Sequence, residues 1–136
     1  MSTTITFKGI PEGRTCEMQP YIEQGMAFSN DKRGQWSAPI GYAGYVGTGY
    51  PSSQISVEYH ELQAFDVVSI AFCDAGSTTD PVSFTGTLAD SSTVTETFSV
   101  GGFTTFTPQN LTNLVRLTFV VGQVGFKDFV FNLSGS

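Results

Sequence analysis

The residues best suited to chemistry lie in one stretch, Gly41-Tyr-Ala-Gly-Tyr-Val-Gly-Thr-Gly-Tyr50, where three tyrosines are interspersed with four glycines behind Trp36 and Pro39. An aromatic ring between small residues can face the C–H patch of a sugar, while short polar side chains take the hydroxyls at its edge. Here the polar edge consists of Asn30, Asp31, Arg33, Gln35 and Gln54, whose amides and charges can make paired contacts with vicinal hydroxyls. The expected ligand-binding set is therefore Asn30, Asp31, Arg33, Gln35, Trp36, Tyr42, Tyr45 and Tyr50, on a loop running from Asn30 to Gln54. The competing use of these rings is to fold back and plug one end of the core, with the polar tips reaching water. For the cluster as a whole, at least one exposed aromatic is expected, because loops held by a rigid sheet commonly carry function.

Catalysis finds less support. His60 is the only histidine and stands in Glu58-Tyr-His-Glu61. Along a strand Glu58 and His60 share one face while Tyr59 and Glu61 share the other, so a tight constellation of all four is not expected. The serines, Cys16 and Cys73 have only His60 as a candidate base of the usual kind, and no Gly-x-Ser-x-Gly elbow is present. The six Asp and six Glu follow no motif. Glu12, Glu17, Glu23 and Asp128 read as free surface acids rather than metal ligands. No glycine-rich phosphate loop sits between a strand and a helix. The expectation is a chain without catalytic residues, metal or cofactor.

Positioning such a loop requires a scaffold, and the rest of the chain reads as strands. Ile5 and Phe7 alternate before Gly9 and Pro11, and Gly25-Met-Ala-Phe28 follows before Ser29-Asn30-Asp31. Ile55 to Tyr59, Phe65 to Phe72, Val82 to Ala89, Thr93 to Val100, Phe103 to Thr107, Val115 to Val121 and Phe126 to Leu133 repeat the signature. Between Asn30 and Ser53 no period of 2 or 3.6 holds, which predicts a long exposed excursion. Helix is expected to be marginal, one turn near Pro20 to Gln24 or Gln109 to Leu114. Tight turns at Ala89-Asp-Ser-Ser92 and Gly101-Gly102 imply antiparallel hairpins. The fold class is all-β, an antiparallel jelly-roll β-sandwich, with residues 1–136 forming a single domain.

Composition narrows the partners. Twelve acidic against six basic residues give a formal charge of −6, which repels phosphate backbones and argues against nucleic acid. The apolar runs are far shorter than the roughly 20 residues of a membrane span. The opening Met-Ser-Thr-Thr-Ile lacks the pattern of a secretory signal. With Met1 native the chain is expected to be cytosolic or exported without such a signal; with a leader removed it is extracellular. Cys16 and Cys73 are expected as two unbonded, buried thiols.

Four pieces, in order, carry a resemblance: Thr4-Ile-Thr-Phe-Lys-Gly-Ile10, Tyr21-Ile-Glu-Gln-Gly-Met-Ala-Phe28, Phe65-Asp-Val-Val-Ser-Ile70 and Gly125-Phe-Lys-Asp-Phe-Val-Phe131. Over nearly its whole length the chain resembles the small galactose-binding-like jelly-roll domains of fungal and bacterial secreted proteins, related to carbohydrate-binding modules and small lectins. The resemblance implies a glycan or polysaccharide as partner. In many members two acids follow the first strand and a pair of acids stands on the last, some of them holding a structural calcium. This chain has Lys8 and Gly9 at the first place and only Asp128 at the second, and a cation at the rim disfavours the ion. Two other readings stay open. One is a structural or assembly protein using the same loop as an interface, with a homo-oligomer among the outcomes. The other is a small jelly-roll enzyme with His60 or an acid as base.

Overall fold

The computed structural model describes residues 2–41, 44–50, 52–74, 80–121 and 124–134, the side chains of Asp74 and Asp80 excepted. Twelve strands form among them: β1 (Thr3–Ile5), β2 (Thr15–Glu17), β3 (Tyr21–Glu23), β4 (Met26–Asn30), β5 (Gln35–Ser37), β6 (Ser53–Tyr59), β7 (Phe65–Asp74), β8 (Asp80–Leu88), β9 (Thr93–Val100), β10 (Gly102–Phe106), β11 (Leu114–Val121) and β12 (Val124–Leu133). Inward residues at every second position give β4 and β6 one dry face, with Met26, Phe28 and Asn30 pointing inward from β4 and Ser53, Ile55 and Val57 from β6, whereas β11 and β12 each break the alternation once at a register shift.

Every strand pair is antiparallel. One layer runs β1–β12–β7–β10 and the other β3–β4–β6–β11–β8–β9, with β2 and β5 forming a separate small ribbon. The layers stay joined where Leu114 at the start of β11 faces Phe65 at the start of β7, so the sandwich nearly closes into a barrel. The first strand lies beside the last, with Thr3 opposite Phe131 and Ile5 opposite Phe129. This is the all-β antiparallel sandwich expected from the sequence.

Phenylalanine fills the space between the layers. Of the twelve, only Phe98 and Phe103 escape full burial. Phe7 meets Phe28 and Phe126 edge-on, Phe28 meets Phe129 in the same way, and Phe84 stacks on Phe106 at 4.7 Å. Such pairs add about 0.5–1.5 kcal/mol each beyond the area they bury.

Several local expectations need correction. Pro20 to Gln24 forms no helical turn, because Tyr21 and Glu23 both face inward from β3. Gln109 to Leu114 does not coil either: the Asn113 N–H, which a helical turn would return to the Gln109 carbonyl, goes to the Asp66 carboxylate, Asn113 has positive φ, and the Leu111 carbonyl accepts from Val67 of β7. The one helical turn among the described residues is His60–Leu62, with Glu61 and Leu62 at positive φ. Gly101-Gly102 is not a hairpin turn but a corner between layers, for β9 pairs with β8 while β10 pairs with β7. Cys16 and Cys73 form no disulfide, and Cys73 is buried while Cys16 is only half-buried. No helix among the described residues is long and apolar enough to cross a membrane.

Candidate functional site

The excursion from Asn30 onward is built around Asn30 itself. Its side-chain oxygen accepts from the N–H groups of Lys32 (2.8 Å) and Gly34 (3.0 Å), and its amide donates to the Gln35 carbonyl. Gln19 binds the Asn30 backbone on both sides. The turn so fixed passes through Arg33 and Gly34 at positive φ, and a Cβ on Gly34 would lie 2.8 Å from the Met18 carbonyl oxygen. Asn30 is therefore the buried hub of the turn and has no surface to offer a ligand.

Trp36 is corrected in the same way. As the middle residue of β5 it faces inward, is 0% exposed, and donates its indole N–H to the Met18 carbonyl at 2.7 Å. Gln35, expected at the ligand edge, spends its amide on the Thr48 carbonyl at 2.7 Å. Beyond it the chain is pinned twice, by paired backbone bonds between Ser37 and Gly47 and between Val46 and Phe126. The latter pair docks the loop against the edge of β12. Tyr45 is carried inward with Val46, lies edge-on to Phe103 at 5.5 Å, and has the Lys127 ammonium 4.7 Å above its ring. Burial pushes its phenol above the ordinary range. The expected contact residue Tyr42 lies outside the described residues.

Past the last pin the picture reverses. The buried Thr48 hydroxyl bonds to that of Ser53 and accepts from the Tyr50 N–H, which fixes the backbone of the tip. Tyr50 itself keeps 40% of its surface open, with the Lys32 ammonium 5.6 Å from the ring centre. Asp31 and Gln54 clamp the two turns together: the Asp31 N–H donates to the Gln54 carbonyl and the Gln54 N–H to the Asp31 carboxylate. Asp31, Arg33 and Gln54 are exposed. Of the predicted set, then, Asp31, Arg33 and Tyr50 are at the surface, whereas Asn30, Trp36 and Tyr45 are buried and Gln35 is half-buried.

The other end of β6, about 20 Å away at the usual rise per residue, carries the His60 group. Glu58, Tyr59, His60 and Glu61 together line a shallow trough of about 300 Å³, edged by Ile22 and Leu62. The expected split holds for Glu58 and Tyr59, which face opposite ways with Tyr59 packed on Phe131, but not for His60 and Glu61, because the strand stops at Tyr59 and these two belong to the helical turn. The Glu58 carboxylate is held by Arg116 at 2.7 Å, and His60 stands 3.7 Å from Glu61 with both side chains well exposed. Among the described residues no three His, Cys, Asp or Glu converge on a metal position. Glu23 is no free surface acid: it is buried and accepts from Tyr21 Oη, the Thr6 N–H and the Thr6 hydroxyl. Burial, followed by that bond to Glu23, pushes the Tyr21 phenol well above its ordinary range, and the Gly9 N–H donated to the phenol oxygen opposes the shift.

Three residues at or near the loop were not singled out from sequence: Lys32, Lys127 and Phe103. The signal for Phe103 was legible, because Phe103 and Phe106 are three apart on one strand and cannot share a face; Phe106 is buried and Phe103 is 67% exposed. No protein-family model, curated protein or solved structure matches the chain.

Proposed function

We propose that the chain is a non-catalytic carbohydrate-binding domain of the galactose-binding-like kind, which contacts its glycan through Tyr50 with Asp31, Arg33, Lys32 and Gln54 around it. The observation that carries this reading is the half-open Tyr50 ring on a backbone already fixed by Thr48, Ser53 and the Asp31–Gln54 clamp. A ring carried on a fixed backbone brings less chain entropy to lose when a sugar stacks on it, and the ammonium, carboxylate and amide nearby can take hydroxyls at the rim. A patch this open buries little of one sugar, so single-site binding is weak and retention on polymers depends on repeated contacts.

The test is retention on a broad glycan array and on insoluble polysaccharides by the wild type, Tyr50→Ala and Phe103→Ala. Selective retention that Tyr50→Ala removes while Phe103→Ala keeps it supports the reading. Silence of the wild type on every glycan, or retention untouched by Tyr50→Ala, overturns it. A second reading, an assembly protein, is favoured by one observation, the exposed Phe103 beside Tyr45. It expects Phe103→Ala to shift the elution volume and leave glycan behaviour unaltered.

A further inference from the structure

A β-strand at the edge of a sheet carries a row of main-chain donors and acceptors that only another strand can satisfy in register. Four strands end the two layers. β1 and β3 have three residues each, and β3 is entered through Pro20; β10 has five and is entered through two glycines. Each of these edges is short or interrupted. β9 is different. Its eight residues, Thr-Val-Thr-Glu-Thr-Phe-Ser-Val, pair with β8 on one side, and among the described residues no strand lies on the other. The strand contains no Pro, Gly, Lys or Arg, residues that commonly blunt an edge, and the one edge-blunting feature it carries is the inward-pointing Glu96.

Its two faces add to this. Thr93, Thr95, Thr97 and Ser99 point outward, while Val94, Glu96, Phe98 and Val100 face inward, the first three opposite Gly86, Phe84 and Val82. On a chain with a formal charge of −6, the only charge on β9 is Glu96, and its carboxylate is turned back onto the Gln109 and Asn110 N–H groups. Val94 and Phe98 face the core, yet they stay partly open because the sheet ends beside them.

We propose that β9 joins two copies of this chain, edge to edge and antiparallel, about a twofold axis through Thr97. The register follows from side-chain chemistry. A shift by one residue would set outward hydroxyls opposite inward apolar groups, so the axis must pass through a residue and not between two. An axis at Glu96 places two carboxylates directly opposite each other, which costs stability. An axis at Thr95 or at Phe98 leaves only about five residues of each strand paired, the former with Phe98 off the end of the partner strand. An axis at Thr97 sets Thr97 against Thr97 and Thr95 against Ser99 outside, with Glu96 against Phe98 and Val94 against Val100 inside. The same surface then serves both copies, as a twofold contact requires. Pairing along one strand buries less than the roughly 1,200 Å² of a standard interface, so the dimer is weak and depends on concentration.

Sedimentation velocity of the purified chain without glycan, over a wide concentration range, should show the average mass rising toward double that of the monomer. Thr97→Lys places like charges on the axis and should hold the mass at that of the monomer, with an unchanged circular dichroism spectrum. Cysteine substitutions read the register directly, since opposed Cβ atoms about 4.5–5.5 Å apart come within reach of a disulfide. Under mild oxidation Thr97→Cys should cross-link to a dimer, Ser99→Cys and Thr95→Cys should each stay monomeric, and the double variant carrying both should cross-link. A wild type that is monomeric at every concentration overturns the proposal. So does a dimer that Thr97→Lys leaves intact, or cross-linking of Ser99→Cys as readily as Thr97→Cys.

Discussion

Trp36 and Tyr50 belong to the same glycine-rich excursion, fourteen positions apart in the numbering, and have opposite fates. Trp36 is fully buried with its indole N–H on the Met18 carbonyl; Tyr50 is 40% exposed with only the Lys32 side chain over its ring. Their compositional surroundings are alike, so composition does not decide the outcome. Backbone pairing does. Trp36 sits on β5, opposite Cys16 of β2, and a strand lying over the core must turn its middle side chain inward. Tyr50 lies beyond the pins at Val46, Gly47 and Thr48, where no pairing dictates which way it points. The excursion is thus a strap for most of its length and a presenting surface only at its tip.

The largest effect expected from this contrast is on stability. Trp36→Ala removes a fully buried indole and leaves the Met18 carbonyl without its donor, so unfolding free energy should fall by about 3–5 kcal/mol. Urea denaturation followed by circular dichroism measures it. A loss below about 1 kcal/mol would mean that the strap does not close the core.

How far the sequence reveals this can be judged residue by residue. The strands from Ile55 onward are legible, Ile55 to Tyr59 by its alternation and Phe65 to Phe72 as a dense apolar run, and the Ala89 to Ser92 turn forms as its residues predict, with the Ser91 N–H on the Leu88 carbonyl. The corner at Gly101-Gly102 is not legible as a corner, since two glycines serve a hairpin and a change of layer equally well. Nor is β5: three residues cannot display a period, and the burial of Trp36 depends on β2, whose Cys16 lies twenty positions earlier. The candidate site is legible only in its outline. A side-chain amide at Asn30 suits a sugar hydroxyl and a turn N–H alike, and what assigns it to the turn is the proximity of Lys32 and Gly34 after folding.

A smaller effect separates buried from open phenols by pH. The folded chain holds the Tyr21 proton more tightly than an unfolded tyrosine, whose pKa is about 10. Below that value both states keep the proton and the contribution is fully present; as pH rises past it, the unfolded state loses its proton first and stability declines. The denaturation midpoint should therefore drop above pH 10 by more in the wild type than in Tyr21→Phe, although Tyr21→Phe starts from a lower value because Glu23 and the Gly9 N–H lose their partner. Equal slopes in the two proteins would show that the Tyr21 proton is not held by the fold.

The smallest effect is at the tip, and it is the one that keeps the contrast sharp. Tyr50→Ala removes a half-exposed ring and a single cation contact, and at an exposed site such a contact contributes about 0.5–1 kcal/mol. Its backbone bond to the Thr48 hydroxyl does not depend on the side chain and survives. Unfolding free energy should therefore change by no more than about 1 kcal/mol, well short of the cost at Trp36, while any glycan retention is lost. A stability loss as large as that of Trp36→Ala would place Tyr50 in the strap. A ring needed to close the core could not be spent on a ligand, and the surface for binding would have to be sought elsewhere, beginning with Phe103.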